Sequence, residues 1–343
     1  MFSYNVNDSL PNRDFLPTAS WEMLRRRAEL LKSVRQFFDQ RDFLEVETPI
    51  ISADTVVDRH LEPIPVENLL SGKSNSTDQN AGDRSQPMWL QTSPEFAMKR
   101  LMAAGGKAIF QLARVFRKGE CGSQHNPEFT MLEWYRAGDD LHAGMDLLCE
   151  FAAEFLNAGS PVRMNYRQAF LENTDVDPFT ASIADLSSIA RRHKLHPPWQ
   201  PDHPDRDDWL HFLFSECVQP HLGNDFPAIV FDWPASQAAL ARIRHDSPPV
   251  AERFELFFRG IELANGYHEL ANADELAQRN LAVNQLRAKD GNAALPENSR
   301  LLSAMRAGFP ACAGVALGID RLLMVITGAK HIADVIAFPI DRA

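Results

Sequence analysis

Cysteine is scarce in this 343-residue chain: Cys121, Cys149, Cys217 and Cys312 lie far apart with no CxxC pair, which excludes a disulfide framework and a zinc ribbon. No uninterrupted apolar run approaches the roughly 18 residues of a membrane-spanning helix. The first residues (MFSYNVNDSLPNRD) lack the apolar stretch of a secretory signal, so the chain is expected in the cytoplasm with no membrane partner. Glycine (17) and proline (22) are near ordinary usage, and no repeat or low-complexity tract appears, which removes collagen-like, coiled-coil and wholly disordered readings. Positive charge is in deficit, with 35 Lys+Arg against 46 Asp+Glu and no basic tail, which weighs against a nucleic-acid partner. Neither a GxGxxG nor a GxxxxGK[ST] phosphate loop is present.

What is present reads as a globular α+β protein. After a polar leader over 1–20, Leu24, Leu30, Leu31, Val34, Phe37 and Phe38 recur at helical spacing, with Ser20 as N-cap. Residues 43–50 then alternate apolar and polar up to Pro49, which suits an edge or a strand end. Residues 68–87 (NLLSGKSNSTDQNAGDRSQP) have little to bury and predict a mobile surface loop. A short strand from Met88, a helix over 95–104 and strands over 108–117 and 128–136 follow. Helical patterns at 141–156, 182–193 and 206–217 make 139–227 a mainly helical insertion; 228–232 reads as a strand, and strands return after Ala251. This order predicts an antiparallel sheet flanked by helices rather than alternating βαβ units.

The densest chemistry lies in 254–266 (FELFFRGIELANG). A two-residue turn at Arg259-Gly260 would set Ile261 opposite Phe258, Glu262 opposite Phe257 and Ala264 opposite Glu255. Glu255 and Glu262 would then share a face as diagonal neighbours, about 7–8 Å apart at Cβ. Two like charges on so apolar a hairpin repel unless a cation offsets them, and the span suits Mg²⁺ with bridging phosphate oxygens. Strict alternation puts Glu269 opposite in face to Glu262, so a bulge near Asn265-Gly266 is expected to bring both into one pocket. In 115–120 (VFRKGE) and 125–133 (HNPEFTMLE), an arginine ending one strand and an aromatic on the next either clamp a phosphate and a purine or form an ordinary hairpin tip. In 314–324 (GVALGIDRLLM), glycines allow a close approach and Arg321 sits where a strand enters a helix; the alternative is a tightly packed junction. His193 and His196 precede Pro197-Pro198 with no partner ligand nearby and read as a helix end.

Together these segments resemble the signature motifs of class II aminoacyl-tRNA synthetases: the first helix with 43–49 as motif 1, 116–133 as motif 2 and 314–321 as motif 3. Within the class, 92–95 (TSPE), 125–130 (HNPEFT) and 262–266 (ELANG) resemble the lysyl-specific core. The leader leaves no room for the anticodon-binding OB-fold of lysyl-tRNA synthetases. Residues 232–238 (DWPASQA) and Ala316, where those synthetases usually have glycine, resemble the truncated paralogues that attach (R)-β-lysine to a lysine of elongation factor P.

The resemblance implies a class II catalytic domain over 21–343, with ATP and Mg²⁺, an aminoacyl-adenylate intermediate, a homodimer built on motif 1, and elongation factor P rather than tRNA as acceptor. It implies Arg117, Arg321, Glu255 and Glu262 as catalytic residues, the two glutamates holding the metal. ATP contacts would come from Arg117 at the α-phosphate, His125 and Arg321 at the terminal phosphates, Phe129 and Arg321 around adenine, and Lys118, Gly119, Asn126, Glu255, Leu256 and Gly318. The family's Arg-Asn-Glu is Arg117-Lys118-Gly119 here, so Glu120 would take the adenine contact one position later. The amino acid would meet Ser93, Pro94, Glu95, Glu262, Asn265, Tyr267 and Ala316, with Tyr135 and Glu269 at its distal ammonium. A substrate lacking that ammonium would leave Glu269 buried and unpaired, a penalty of the order of ~10⁴-fold. The rival readings are a minimal lysyl-tRNA synthetase and a catalytically silent regulatory module.

Overall fold

The computed structural model describes residues 15–67, 87–200 and 202–343. The expected mobile loop at 68–87, apart from Pro87, and residues 1–14 of the leader lie outside them. Ser20 stands extended and its hydroxyl accepts from Met23 N, starting helix α1 (Trp21–Asp39), which buries Leu30, Val34, Phe37 and Phe38. The strand expected over 43–50 pairs only at β1 (Leu44–Glu45), an edge strand parallel to its neighbour. β2 (Ile51–Ser52), β3 (Pro65–Val66) and β4 (Met88–Leu90) form a separate small sheet in the order β2-β4-β3. α2 (Glu95–Ala103), β5 (Ala108–Phe116), β6 (Glu128–Ala137) and α3 (Leu141–Leu156) follow the sequence pattern closely.

The next stretch comprises β7 (Val162–Asn165), α4 (Tyr166–Thr174), α5 (Ile183–Arg192), α6 (Arg206–Leu213), β8 (Ala228–Pro234), β9 (Ile243–Arg244), β10 (Val250–Phe258) and β11 (Ile261–His268). The chain ends with α7 (Ala273–Lys289), α8 (Arg300–Ala307), β12 (Cys312–Gly318) and α9 (Ile319–Thr327). The expected helix over 206–217 keeps α-geometry only to Leu213; Phe214–Val218 widens into a π-helical turn.

The main sheet runs β1-β5-β6-β12-β11-β10-β8-β7, with β9 beside β10. Its pairs are antiparallel except β1 with β5 and β7 with β8, as the α+β reading requires. α1, α3 and α9 cover one face, where Phe37, Phe38, Trp134, Phe151, Phe254 and Leu323 make the largest core. α3 therefore belongs to the main domain, and the separate helical core begins later than expected, with Tyr166 of α4, Leu186 of α5, Trp209 of α6 and Phe214 packed on β8. The other face of the central strands stays open to the site.

Candidate active site

Side-chain alternation lays the site across the sheet. Pairing aligns Gln111, Glu133, Ala316, Asn265 and Glu255 in one row over β5, β6, β12, β11 and β10, and Ile109, Tyr135, Gly314, Tyr267 and Arg253 in another. The intervening row of Phe110, Trp134, Val315, Gly266 and Phe254 faces the covering helices.

The β10–β11 hairpin turns at Arg259 and Gly260, both at positive φ (52° and 71°), as a primed two-residue turn requires. Ile261 pairs with Phe258 and Glu262 with Phe257 as expected, but Ala264 pairs with Leu256 and Asn265 with Glu255. The expected bulge exists, at Leu263 rather than at Asn265-Gly266. Leu263 and Ala264 both turn into the main core, and this extra residue puts Glu262, Asn265, Tyr267 and Glu269 on one face. Gly266 has another purpose: a Cβ there would lie 2.5 Å from the Phe254 ring.

A cavity of about 520 Å³ opens over these rows, a size suited to a small-molecule site. At one end the Arg117 guanidinium lies 5.0 Å from the Phe129 ring centre, with Glu120 Oε1 at 3.5 Å. Arg321, in the first turn of α9, donates to Glu262 O (3.1 Å) and meets His125 Nε2 at 2.5 Å. Phe129 thus carries Arg117, while Arg321 is drawn toward Glu262. Partial burial and Arg321 lower the His125 pKa, so this side chain offers a hydrogen bond rather than charge. Asn126 lines the cavity and braces the loop, giving Nδ2 to Glu128 O and accepting from Ile340 N. Gly318 lines the wall as the N-cap of α9. Lys118 and Gly119 are exposed and off the cavity wall, and the Leu256 side chain is buried in the main core on the other face of β10.

At the other end Ser93, Glu95, Glu133, Asn265, Tyr267 and Ala316 line the cavity, while Pro94 is the N-cap of α2 and does not. Ser93 Oγ donates to Glu133 Oε1 at 2.5 Å and accepts from Glu95 N at 3.0 Å. Tyr135 Oη donates to Glu133 Oε2 at 3.3 Å. Burial and the charge of Glu95 push Glu133 up to about 8. Glu269 and Tyr135 lie beneath the wall. The Glu269 carboxylate, expected to await a substrate ammonium, already meets Lys99 Nζ at 2.5 Å, and Lys99 also donates to Glu95 Oε1 at 2.5 Å. Asn265 Oδ1 and Thr92 Oγ1 are buried without a partner among the described residues.

The expected metal ligands share the site face, but differ. Glu255 is buried and held by Arg253, whose Nε reaches Oε1 at 3.1 Å; burial and Glu262 raise its pKa, and Arg253 opposes this. Glu262 stays on the cavity wall, half-buried. Two repelling hard oxygen donors fit a divalent cation that also takes phosphate oxygens, and among the described residues no three-carboxylate or histidine cluster would hold one unaided.

Sequence reasoning missed Lys99, Glu133 and Arg253. Lys99 could have been found from its i,i+4 spacing to Glu95 on one helix face. Arg253 is placed by the 232–238 stretch: Ser236 and Gln237 bind Asp207 of α6 at 2.8 and 3.2 Å, and Gln237 O accepts from Arg253. The far wall, from Val56, His60, Leu276 and Asn280, carried no motif.

A family model for class II tRNA synthetases (D, K and N) matches residues 13–342. Among curated relatives, the elongation factor P–(R)-β-lysine ligase of Vibrio vulnificus (strain YJ016) is 47% identical over 330 residues, 96% of this chain and 99% of the relative. The protein of that name from Vibrio cholerae serotype O1 (strain ATCC 39315 / El Tor Inaba N16961) is 46% identical over 334 residues, 97% and 100% of the two chains. That of Haemophilus influenzae (strain PittGG) is 42% identical over 327 residues, 95% and 98%. With motifs 2 and 3 converging on one cavity and full-length similarity of this degree, the chain belongs to the class II tRNA synthetase family, in the group of elongation factor P–(R)-β-lysine ligases.

Proposed function

We propose that the chain activates (R)-β-lysine with ATP and transfers it to a lysine side chain of elongation factor P. The observation that carries this reading is one cavity with two arginines and Phe129 at one end and a carboxylate floor at the other. This arrangement holds a nucleotide and a cationic amino acid end to end. The substrate carboxylate attacks the α-phosphorus and pyrophosphate leaves; the acceptor amine then attacks the acyl carbon and AMP leaves.

Arg117 and Arg321 hold the phosphates and stabilise the charge that builds on them, a task of position and electrostatics. Phe129 offers a face for adenine, and Glu120 a carboxylate near its amino group. Glu255 and Glu262 would hold Mg²⁺, which when bound neutralises triphosphate charge. The wall's serines donate to carboxylates, Ser93 to Glu133 and Ser236 to Asp207, and a direct attack of the substrate carboxylate on the α-phosphorus needs no covalent nucleophile from the protein. Ala316 stands between Asn265 and Glu133, where its methyl trims the space at the reacting end of the amino acid.

Incubation with ATP, labelled lysine isomers and either elongation factor P or tRNA tests the reading. Label is expected on elongation factor P from β-lysine; label on tRNA from α-lysine would instead establish a minimal synthetase.

A further inference from the structure

Lys99 is the one cation in a closed group of acids. Its side chain is 3% exposed and its ammonium bridges Glu95 of its own helix and Glu269 after β11, both at 2.5 Å. Glu133 and Tyr135 reach the same group from β6, Tyr267 from β11 and Cys312 from β12. Gly314 makes the room: a Cβ there would overlap the Tyr135 ring and the Glu269 carboxylate. Three carboxylates thus face one ammonium, and they cannot all remain charged on that one counterion. Burial pushes both Glu133 and Glu269 up to about 8, and Lys99 draws both back toward the ionised form.

We propose that Lys99 is a positioning residue of the amino-acid subsite: by bridging Glu95 and Glu269 it fixes both carboxylates beside the cavity in which the substrate ammonium binds. This rests on the lysine-activating reading above. Glu269 Oε2 has no hydrogen-bond partner beyond its ion contact with Lys99, so the carboxylate keeps capacity for a second cation. Burial alone would strip Lys99 of its proton, but Glu269 and Glu95 outweigh it and hold the ammonium charged. Burial pushes Glu269 up, and Lys99 draws it back toward its ionised form.

The test uses the full-length enzyme and pyrophosphate exchange with β-lysine over pH. Lys99→Met removes the cation that favours ionised Glu269, so the acid limb of kcat/KM for the amino acid should move to higher pH, with KM for β-lysine raised at least tenfold and KM for ATP unchanged. A structural role alone would lower activity without moving that limb, and an unmoved limb overturns the inference. Should Lys99→Met fail to fold, Glu269→Gln is compared with Lys99→Met/Glu269→Gln. In the single variant a poorly compensated ammonium repels the substrate's, so the double variant should bind β-lysine at least tenfold better; equal or weaker binding overturns the inference. No exchange with either lysine isomer by the unsubstituted enzyme would overturn the activity reading, and this inference with it.

Discussion

Glu262 is the less firmly held of the two carboxylates, its Oε2 lying 3.8 Å from Arg321. Because Glu255 is already held by Arg253, removing the charge of Glu262 should remove most of the cation-binding capacity, and Glu262→Gln is expected to abolish pyrophosphate exchange. Exchange at the unsubstituted rate would refute that role. Glu269 behaves differently from what its sequence position suggested. With Lys99 beside it, a substrate lacking the distal ammonium does not strand the carboxylate, so the cost is a lost charge-assisted hydrogen bond. Norleucine should therefore be activated only about 10- to 150-fold less well than lysine, from the ~1.5–3 kcal/mol of such a bond; a loss near ~10⁴-fold would restore the unpaired-carboxylate view. Glu133 sets a pH dependence of stability. Its folded value, about 8, exceeds the ordinary 4.5, so the folded form binds the proton more tightly. Its contribution is most favourable at low pH and is lost as pH rises from about 4.5 to about 8. Glu133→Gln should flatten that slope in urea unfolding of the ligand-free protein compared at about pH 5.5 and about pH 8.5.

Elements announced themselves in the sequence where their inward faces were apolar and their ends capped. α1, α3 and α5 fit that description, with Ser20, Asp140 and Ser182 accepting from the first-turn amides. α7 did not, because its buried face is polar: Asn280, Asn284 and Arg287 replace the usual apolar stripe, Arg287 tying to Glu62 at 2.6 Å. Of the small β2-β4-β3 sheet only β4 was legible, as the short strand from Met88, because β2 and β3 are two residues long each. In the site, the charged residues of the hairpin were legible from their apolar setting, whereas for Lys99 only the i,i+4 pairing with Glu95 was within reach, since its second partner, Glu269, is supplied by the fold alone. One link between elements is equally hidden in sequence. Asp320, buried at the start of α9, accepts from Arg27 of α1 (2.5 Å) and from Thr130 N of β6 (2.7 Å), next to Phe129 and Arg321. Asp320→Ala leaves Arg27 without its counter-charge, an expected loss of about 3–5 kcal/mol in chemical unfolding. It should also raise KM for ATP more than KM for the amino acid, because both residues it fixes lie at the nucleotide end.

On the scale of the molecule, the motif 1 region leaves Trp21, Leu44 and Ile50 exposed at 72%, 64% and 44% on one stretch of chain. Such a surface is expected to meet its copy in a symmetric homodimer. Leu44→Asp should give a monomer by light scattering with its fold intact, since the side chain contributes little to the core; a monomeric unsubstituted protein at micromolar concentration would refute the dimer. The Leu263 bulge carries a different kind of consequence. Along β6, β10, β11 and β12, folding and chemistry are interleaved, each taking every second residue. A complete set of single substitutions scored separately for abundance and for β-lysine transfer should therefore oscillate with a period of two, the two scores in antiphase. At Leu263 and Ala264 the oscillation should slip by one residue, and deleting Leu263 should remove the slip while leaving Asn265 and Tyr267 facing the ligand, because Glu262, Ala264 and Asn265 then oppose Phe257, Leu256 and Glu255 in an unbroken ladder.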